Sequence, residues 1–578
     1  MTNDTNSPEH ESAVQAEADR IVTRLDAAEQ TWAALPLSER IELLERLGRL
    51  TEEHAQQWVE EACRIKQLPA DSPLVGEEWI SGPWAVLTFV PALAETLRRL
   101  DAGKDVLSGF HTRTVGEDQV AVDVLPHNLY DRLLLNGYTA TVWMERGVTE
   151  ADVRREAGLT QRDPAATRGS TLVLGAGNIF SIAPLDVLYM LYAENRVAVL
   201  KLNPIAEALE PVLRAIFAPF LELGVVEIIT GGVEIGARLA HHPGISAVHM
   251  TGSERTHDAI VWGPGAEGEE RKQAGTPLLD KPISSELGGV APVIIVPGKW
   301  SEADLEHQAQ HVATMRLHNS GFNCIAGQVV VLSSEWEQKD DFLAALRRAL
   351  SAAPHRPPWY PGCADRVSAA RGLHPSSEAV GGTPERTLIP GLDLTDATES
   401  AFQEEYFGPV LGVAELPGHG EHFLRSAVDA ANERLHGTLG ANVILDPATM
   451  KYLGTALEEQ IARLRYGTIG VNAWTGLGYL TAHATWGAFP GHPLDDIQSG
   501  RGVVHNALLL ARTERTVVRG PFRTSPRSVM HGELTISPKP PWFVNNRTAA
   551  GTGRLLSEFA ASPSVAKLPG IFVSALRG

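Results

Sequence analysis

The chain reads as an α/β protein built on mostly parallel sheets, and three observations lead there. From Thr171 onward, short apolar runs alternate with helical patterns, the signature of strands joined by crossover helices. Later runs at Val290–Val296, Gln328–Leu332 and Val410–Val413 repeat that style. With 578 residues, 43% of them hydrophobic, the chain can bury more than one core, so two or three domains are expected.

Residues 1–10 are polar and read as a disordered leader. From Glu11 to Leu100 apolar residues recur at spacings of three and four (Ile21, Leu25, Trp32; Ile41, Leu44, Leu47), which predicts helices. Leu35-Pro36 and Gln67-Leu68-Pro69 punctuate them. Between Gln119 and Met144 the pattern changes to strands at Val120–Val124 and Tyr138–Trp143 around the loop Pro126–Asn136. Thr171–Leu174 is then a strand, Pro184–Tyr192 a helix, Val197–Leu200 a strand and Ala206–Leu223 a helix, with further strands at Val225–Thr230 and Ala247–Thr251. After Gly502 the chain is irregular, with a strand candidate near Arg512–Arg519. A proline patch at Pro538–Pro541 precedes a weakly helical tail.

A net charge of −20 and a pI near 5.5 argue against a nucleic-acid partner, which needs concentrated Lys and Arg. The N-terminus has no apolar core, so it is not read as a secretory signal. The longest apolar tract, Thr171–Ala193, is broken by glycines, Pro184 and Asp186, a poor membrane span. Three cysteines, Cys63, Cys324 and Cys363, make no disulfide framework, and a reducing, cytoplasmic setting fits.

The stretch Asn319-Ser320-Gly321-Phe322-Asn323-Cys324 places one cysteine among small and polar residues, a thiol that a ligand must reach. Cys63 reads as a buried structural thiol and Cys363 as an exposed loop residue. Upstream, Glu286-Leu287-Gly288-Gly289 holds a carboxylate at a strand's edge, so the pair reads as nucleophile and base. Gly175-Ala176-Gly177-Asn178 lacks the third glycine of a dinucleotide fingerprint, because Phe180 stands there. It is equally well read as a tight turn, although Asn178 would suit an oxyanion. Met250-Thr251-Gly252-Ser253 ends a strand and opens a helix; a capped helix start and a pyrophosphate site both fit. No spacing of His and Cys suggests a metal; His241-His242 reads as surface.

Taken in order, these segments resemble the aldehyde dehydrogenase superfamily over roughly residues 20–510. The motifs are Gly177-Asn178, Lys201, Thr251-Gly252-Ser253, Glu286-Leu287-Gly288-Gly289, Cys324, Glu405-Tyr406-Phe407-Gly408-Pro409 and Gly467–Asn472. The resemblance implies two doubly wound parallel-sheet domains plus a projecting β-arm for oligomerisation. Residues 11–118 and 146–285 would form the NAD(P)-binding domain, 119–145 with about 503–535 the arm, 286–502 the catalytic domain and 536–578 a C-terminal tail. It implies catalysis by Cys324 as nucleophile, Glu286 as base and Asn178, with the Cys324 backbone N–H, as oxyanion hole. Lys201, Gly252, Ser253, Leu287, Glu405 and Phe407 would hold NAD or NADP.

The expected reaction is NAD(P)-dependent oxidation of an aldehyde to a carboxylic acid through a cysteine thioester, in a homodimer or homotetramer. A CoA-acylating reductase and a catalytically silent binding protein are the alternatives; relatives of the first commonly lack the glutamate present here as Glu286. Departures from the family pattern include Gly177, Pro204, Phe322 and His257, and a charged insertion near Glu267–Gln273. Phe322, Trp474 and Trp486 fall in segments that would line the substrate tunnel, which suggests an apolar or bulky substrate.

Overall fold

The computed structural model describes residues 8–116, 118–381 and 386–578. Most of the expected leader lies outside these residues; Pro8–His10 already belong to the first helix, Pro8–Ala34. That helix and Leu37–Ile65 meet at Pro36, which lacks the N–H an uninterrupted helix would need. The segment Val75–Asp101 is the one described helix long and apolar enough to cross a membrane, yet 78% of its apolar window is buried inside the fold. It is interrupted at Ile80–Trp84, where Gly82 leaves helical angles (φ −114°, ψ −109°) just before Pro83.

Two sheets organise the molecule. The first has six strands. Ser170–Leu174, Val197–Lys201, Val226–Ile229, Ala247–Gly252 and Ile283–Leu287 run parallel, and the short Gly500–Arg501 closes one edge antiparallel. Its central strands are buried on both faces, as the crossover connections require. The predicted helix Ala206–Leu223 is instead three short helical pieces, Pro204–Leu209, Glu210–Ile216 and Ala218–Glu222. Pro211 and Pro219 each sit in the first turn of a new piece, where a missing N–H costs nothing.

The second sheet has eleven strands. Its parallel core is Ala291–Ile295, Gly327–Ser333, Val410–Leu416, Gly440–Ile444, Thr468–Val471 and Thr513–Arg519. The strands expected in a projecting arm, Gln119–Leu125 and Thr139–Met144, are joined to this same sheet: Thr139–Met144 pairs antiparallel with Thr513–Arg519, which pairs in turn with Thr468–Val471. An unforeseen strand, His111–Val115, forms the outer edge, and the loop between the two expected strands holds a short capped helix, Leu129–Leu134.

The chain passes from the first sheet to the second at Gly288-Gly289, between Ile283–Leu287 and Ala291–Ile295. Gly289 is needed there, since a Cβ on it would lie 2.9 Å from the Gly437 Cα.

Candidate active site

The loop carrying Cys324 is built from three successive residues with positive φ: Asn319 (53°), Ser320 (57°) and Gly321 (80°). Two of them are not glycine, so the surroundings must hold this turn against its own preference. The Asn319 amide does part of this, donating to the backbone oxygens of Asn178 and Phe322, each at 3.1 Å. Arg316, fully buried, binds the carbonyls of Gly321 (3.3 Å) and Gly408, tying the loop to Glu405–Gly408. Cys324 itself stays partly exposed, in the walls of two cavities.

Glu286 lies on Ile283–Leu287, opposite Gly500 on the edge strand, and is only 2% exposed. Neither of its carboxylate oxygens has a protein hydrogen-bond partner. Burial pushes its carboxyl up to about 7, with the neighbouring Cys324 thiol and the Trp486 side chain pulling the other way. The same closeness acts on the cysteine: burial, then the facing carboxylate, hold its thiol well above the ordinary range. In the free protein the pair therefore shares a proton inventory rather than a ready thiolate. Asn178, the third expected residue, donates from Nδ2 to the Phe322 carbonyl at 2.9 Å; its second amide N–H is not committed there.

A groove of about 650 Å³ runs along the carboxyl ends of the first sheet's parallel strands, where α/β folds place ligands. Lys201, Gly252, Ser253, Glu405 and Phe407 all line it, with Asn178, Glu286 and Cys324 at one end. Ser253 caps the helix Glu254–Val261, so that helix's positive end opens toward the groove. A Cβ on Gly177 would meet Asn203 at 2.6 Å, and one on Gly288 would collide with the Glu405 carboxylate, so backbone is exposed along this wall. Glu405 Oε1 is buried without a partner, and burial pushes that carboxyl up to about 8 despite Arg316 and Arg366. An orphaned acceptor, a capped helix end and an open glycine wall fit the ribose and pyrophosphate of a dinucleotide. Leu287 is not among the residues lining the groove: its side chain is buried and its N–H donates to Ser499 O at 2.9 Å.

A second, smaller cavity of about 50 Å³ meets Cys324 and Glu286 from the other side. Ile179, Ile182, Trp474, Tyr479 and Trp486 form its apolar wall. Trp474 and Trp486 thus stand where the sequence placed them. Phe322 does not; it is fully buried against Trp359, Tyr360 and Phe407, supporting the loop from behind. Cys363, expected in an exposed loop, is buried at the start of the helix Cys363–Leu373, because Trp359 and Val367 pack with it. Cys63 is buried as expected.

Sequence reasoning missed the charged network beneath the loop. Arg356 pairs with Glu77, and with Glu78 at 3.2 Å, while Lys66 reaches Glu78 at 2.9 Å, all nearly inaccessible to solvent. Glu77 accepts from the Asn319 N–H at 3.0 Å, and Arg356 donates to Asn319 Oδ1 at 3.2 Å. Burial works to raise the Glu77 carboxyl, but Arg356 and His318 outweigh it and hold it below the usual range. The available signal was two adjacent glutamates inside an apolar helical stretch.

Comparison with known proteins agrees with this geometry. Residues 178–364 match the model of the aldehyde dehydrogenase family. Aminoaldehyde dehydrogenase 2 of Pisum sativum, a peroxisomal protein, is 28% identical over 242 residues, 38% of this chain and 43% of its own length. Betaine aldehyde dehydrogenase 1 of Oryza sativa is 27% identical over 41% of this chain and 47% of its own length. The chain thus aligns with less than half the length of these curated relatives. Among solved structures, an NADP-dependent glyceraldehyde-3-phosphate dehydrogenase from Bacillus halodurans, complexed with NADP, superposes with a TM-score of 0.58 at 18% identity, covering 87% of this chain and 91% of that one. An NAD-dependent aldehyde dehydrogenase from Sinorhizobium meliloti gives 0.57 at 18% identity over 92% and 89%.

Residues 178–364 are thus similar to the aldehyde dehydrogenase family, and the chain shares the fold of solved aldehyde dehydrogenases. Asn178, Lys201, Ser253, Glu286 and Cys324 fall within the stretch matched by the family model, while Glu405 and Phe407 lie beyond it. Glu286 lies on a strand of the first sheet and Cys324 on a loop that leads into the second, and the two meet near where the chain crosses between the sheets.

Proposed function

We propose that this protein oxidises an aldehyde to a carboxylic acid, with NAD⁺ or NADP⁺ as hydride acceptor. One observation carries the reading: Cys324 and Glu286 stand in the walls of both the groove and the apolar cavity. A carbonyl arriving from the apolar side meets the thiol, the carboxylate and the Asn178 amide where the groove ends. Lys201, Gly252, Ser253, Glu405 and Phe407 would hold the dinucleotide, which when bound supplies the hydride acceptor.

The work of the chain's own residues follows from their proton affinities. Cys324 Sγ adds to the carbonyl carbon as its proton passes to Glu286, and the Asn178 amide donates to the oxygen that gains charge. After oxidation Cys324 carries the acyl group as a thioester. Glu286, having released its proton, takes one from water, which attacks the thioester and frees the acid. A carboxyl poised near neutral can do both tasks, because it binds and releases a proton at working pH. Supporting water rather than CoA as acyl acceptor is the presence of that base beside the thiol.

Glu286→Gln tests both tasks. The variant should give a slowed burst of about one reduced cofactor per site, recovered as pH is raised and the thiol ionises without help, and then a steady state slower by about 10²–10⁴-fold. Cys324→Ala should show neither phase in the same stopped-flow record. Wild-type-like turnover in the Gln variant, or turnover by the wild type only when CoA is added, would overturn hydrolysis and assign the acyl group to a thiol acceptor.

A further inference from the structure

The carboxy-terminal segment that matched nothing in the sequence analysis builds a wall of a further cavity. It measures about 320 Å³, within the range that holds small ligands. Trp84, Leu87 and Leu134 face it from one side, and Leu556, Phe559 and Phe572 of the tail from the other. Three side chains, Ile80, Leu480 and Trp542, stand in the walls of both this cavity and the small cavity at Cys324. Ile80 begins the wide helical turn Ile80–Trp84, an irregularity often met where a helix bends around a ligand.

We propose that the two cavities form one passage, and that the tail-built part takes the hydrocarbon body of a long-chain aldehyde whose carbonyl lies at Cys324. The inference rests on the aldehyde-oxidising reading above. The charges of the lining favour an apolar occupant. No lysine or arginine lines the chamber, and its carboxylates are Glu95 and Asp131. Glu95 is paired with Arg99 at 2.5 Å, and Asp131 accepts from the backbone N–H of His127 at 2.8 Å. His127 and His483 also face it, and burial lowers both, His483 to about 3, so neither imidazole is charged at neutral pH. A phosphorylated substrate would find no counter-charge here, and the single carboxylate without a cationic partner, Asp131, is engaged by the backbone N–H groups of His127 and Asn128; an alkyl chain would find Trp, Leu and Phe.

The test uses linear aldehydes from propanal to dodecanal. Expected is a kcat/KM that climbs roughly two- to fourfold per added methylene until the chamber is filled. Ala560→Trp narrows the chamber from the tail and Thr88→Leu from the opposite wall. Each should lower the dodecanal-to-propanal ratio of kcat/KM, by about tenfold or more for the larger substitution. If Ala560→Trp fails to fold, the Thr88 variant and the wild-type length profile still decide. Calorimetric titration of Cys324→Ala with dodecanal reads binding without turnover. Equal kcat/KM at all lengths, an unmoved ratio in the narrowed variants, or propanal oxidation without dodecanal binding would overturn the chamber. Dodecanal binding with no aldehyde oxidised would instead overturn the chemistry and leave the chamber standing.

Discussion

Burial pushes the Glu286 carboxyl up to about 7, and in the proposed reaction its ionised form is the base. The ionised fraction falls as pH drops below that value, so hydrolysis-limited turnover should decrease about tenfold per pH unit on the acid side. Steady-state rates read against pH check this; a flat profile between about pH 5 and 8 would remove Glu286 as the base. The apparent value will belong to the Glu286–Cys324 pair, because the carboxylate raises the thiol while the thiol lowers the carboxyl. At the far end of the groove, Lys201, Asn203 and Pro204 line the wall without a carboxylate among them. Measurable NADP⁺ use is therefore expected, with at most a modest preference for NAD⁺. A preference beyond about a thousandfold, roughly 4 kcal/mol, would require another group that excludes a 2′-phosphate. Cys324, Glu286 and Asn178 were legible because each sits in a short stretch of unusual composition whose chemistry is local. Arg316, Arg356 and Lys66 were not, since a lone charge on a helix or in a loop looks solvated until the fold buries it.

Among the elements, the catalytic loop owes its unfavourable angles to neighbours far away in sequence. Arg356 neutralises Glu77 and Glu78 behind it, and Asn319 is held by both Glu77 and Arg356. Arg356→Ala would leave two buried carboxylates facing only Lys66 and His318. A loss of about 3–5 kcal/mol in stability is expected, the usual cost of breaking a buried pair from one side. Denaturant unfolding measures it, and Arg356→Met with unchanged stability would show that the charge is not needed. Element identity was mostly readable from periodicity: the first four strands of the first sheet fall within a residue or two of their expected places. The strands Ile283–Leu287 and Gly440–Ile444 were not foreseen. The first is Ile-Ser-Ser-Glu-Leu, which carries too little apolar signal, and the second follows a glycine-rich run that masks its start. Pro211 and Pro219 were visible, but their power to divide one helix into three pieces depended on packing.

At the scale of the whole molecule, the eleven-stranded sheet is completed within one chain. Thr513–Arg519 bridges Thr139–Met144 to the catalytic strands, so no partner strand is needed to satisfy its backbone groups. Deleting Gln119–Met144 should then bare an edge of Thr513–Arg519 and yield aggregated or unfolded protein. A stable, soluble deletion variant in size-exclusion chromatography would show that these strands are not needed to complete the sheet. Family resemblance made the arm readable as strands, but where they pair depends on three-dimensional packing that no local pattern encodes. The crossing at Gly288-Gly289 reaches further than topology. Glu286 rides on one sheet and Cys324 on a loop feeding the other, so their separation depends on how the two halves are seated. A ligand in the groove touches Ser253 on one half and Phe407 on the other, and so acts as a clamp across that seam. Filling the groove should therefore resist separation of the two halves, so a bound dinucleotide is expected to raise the thermal midpoint even of Cys324→Ala.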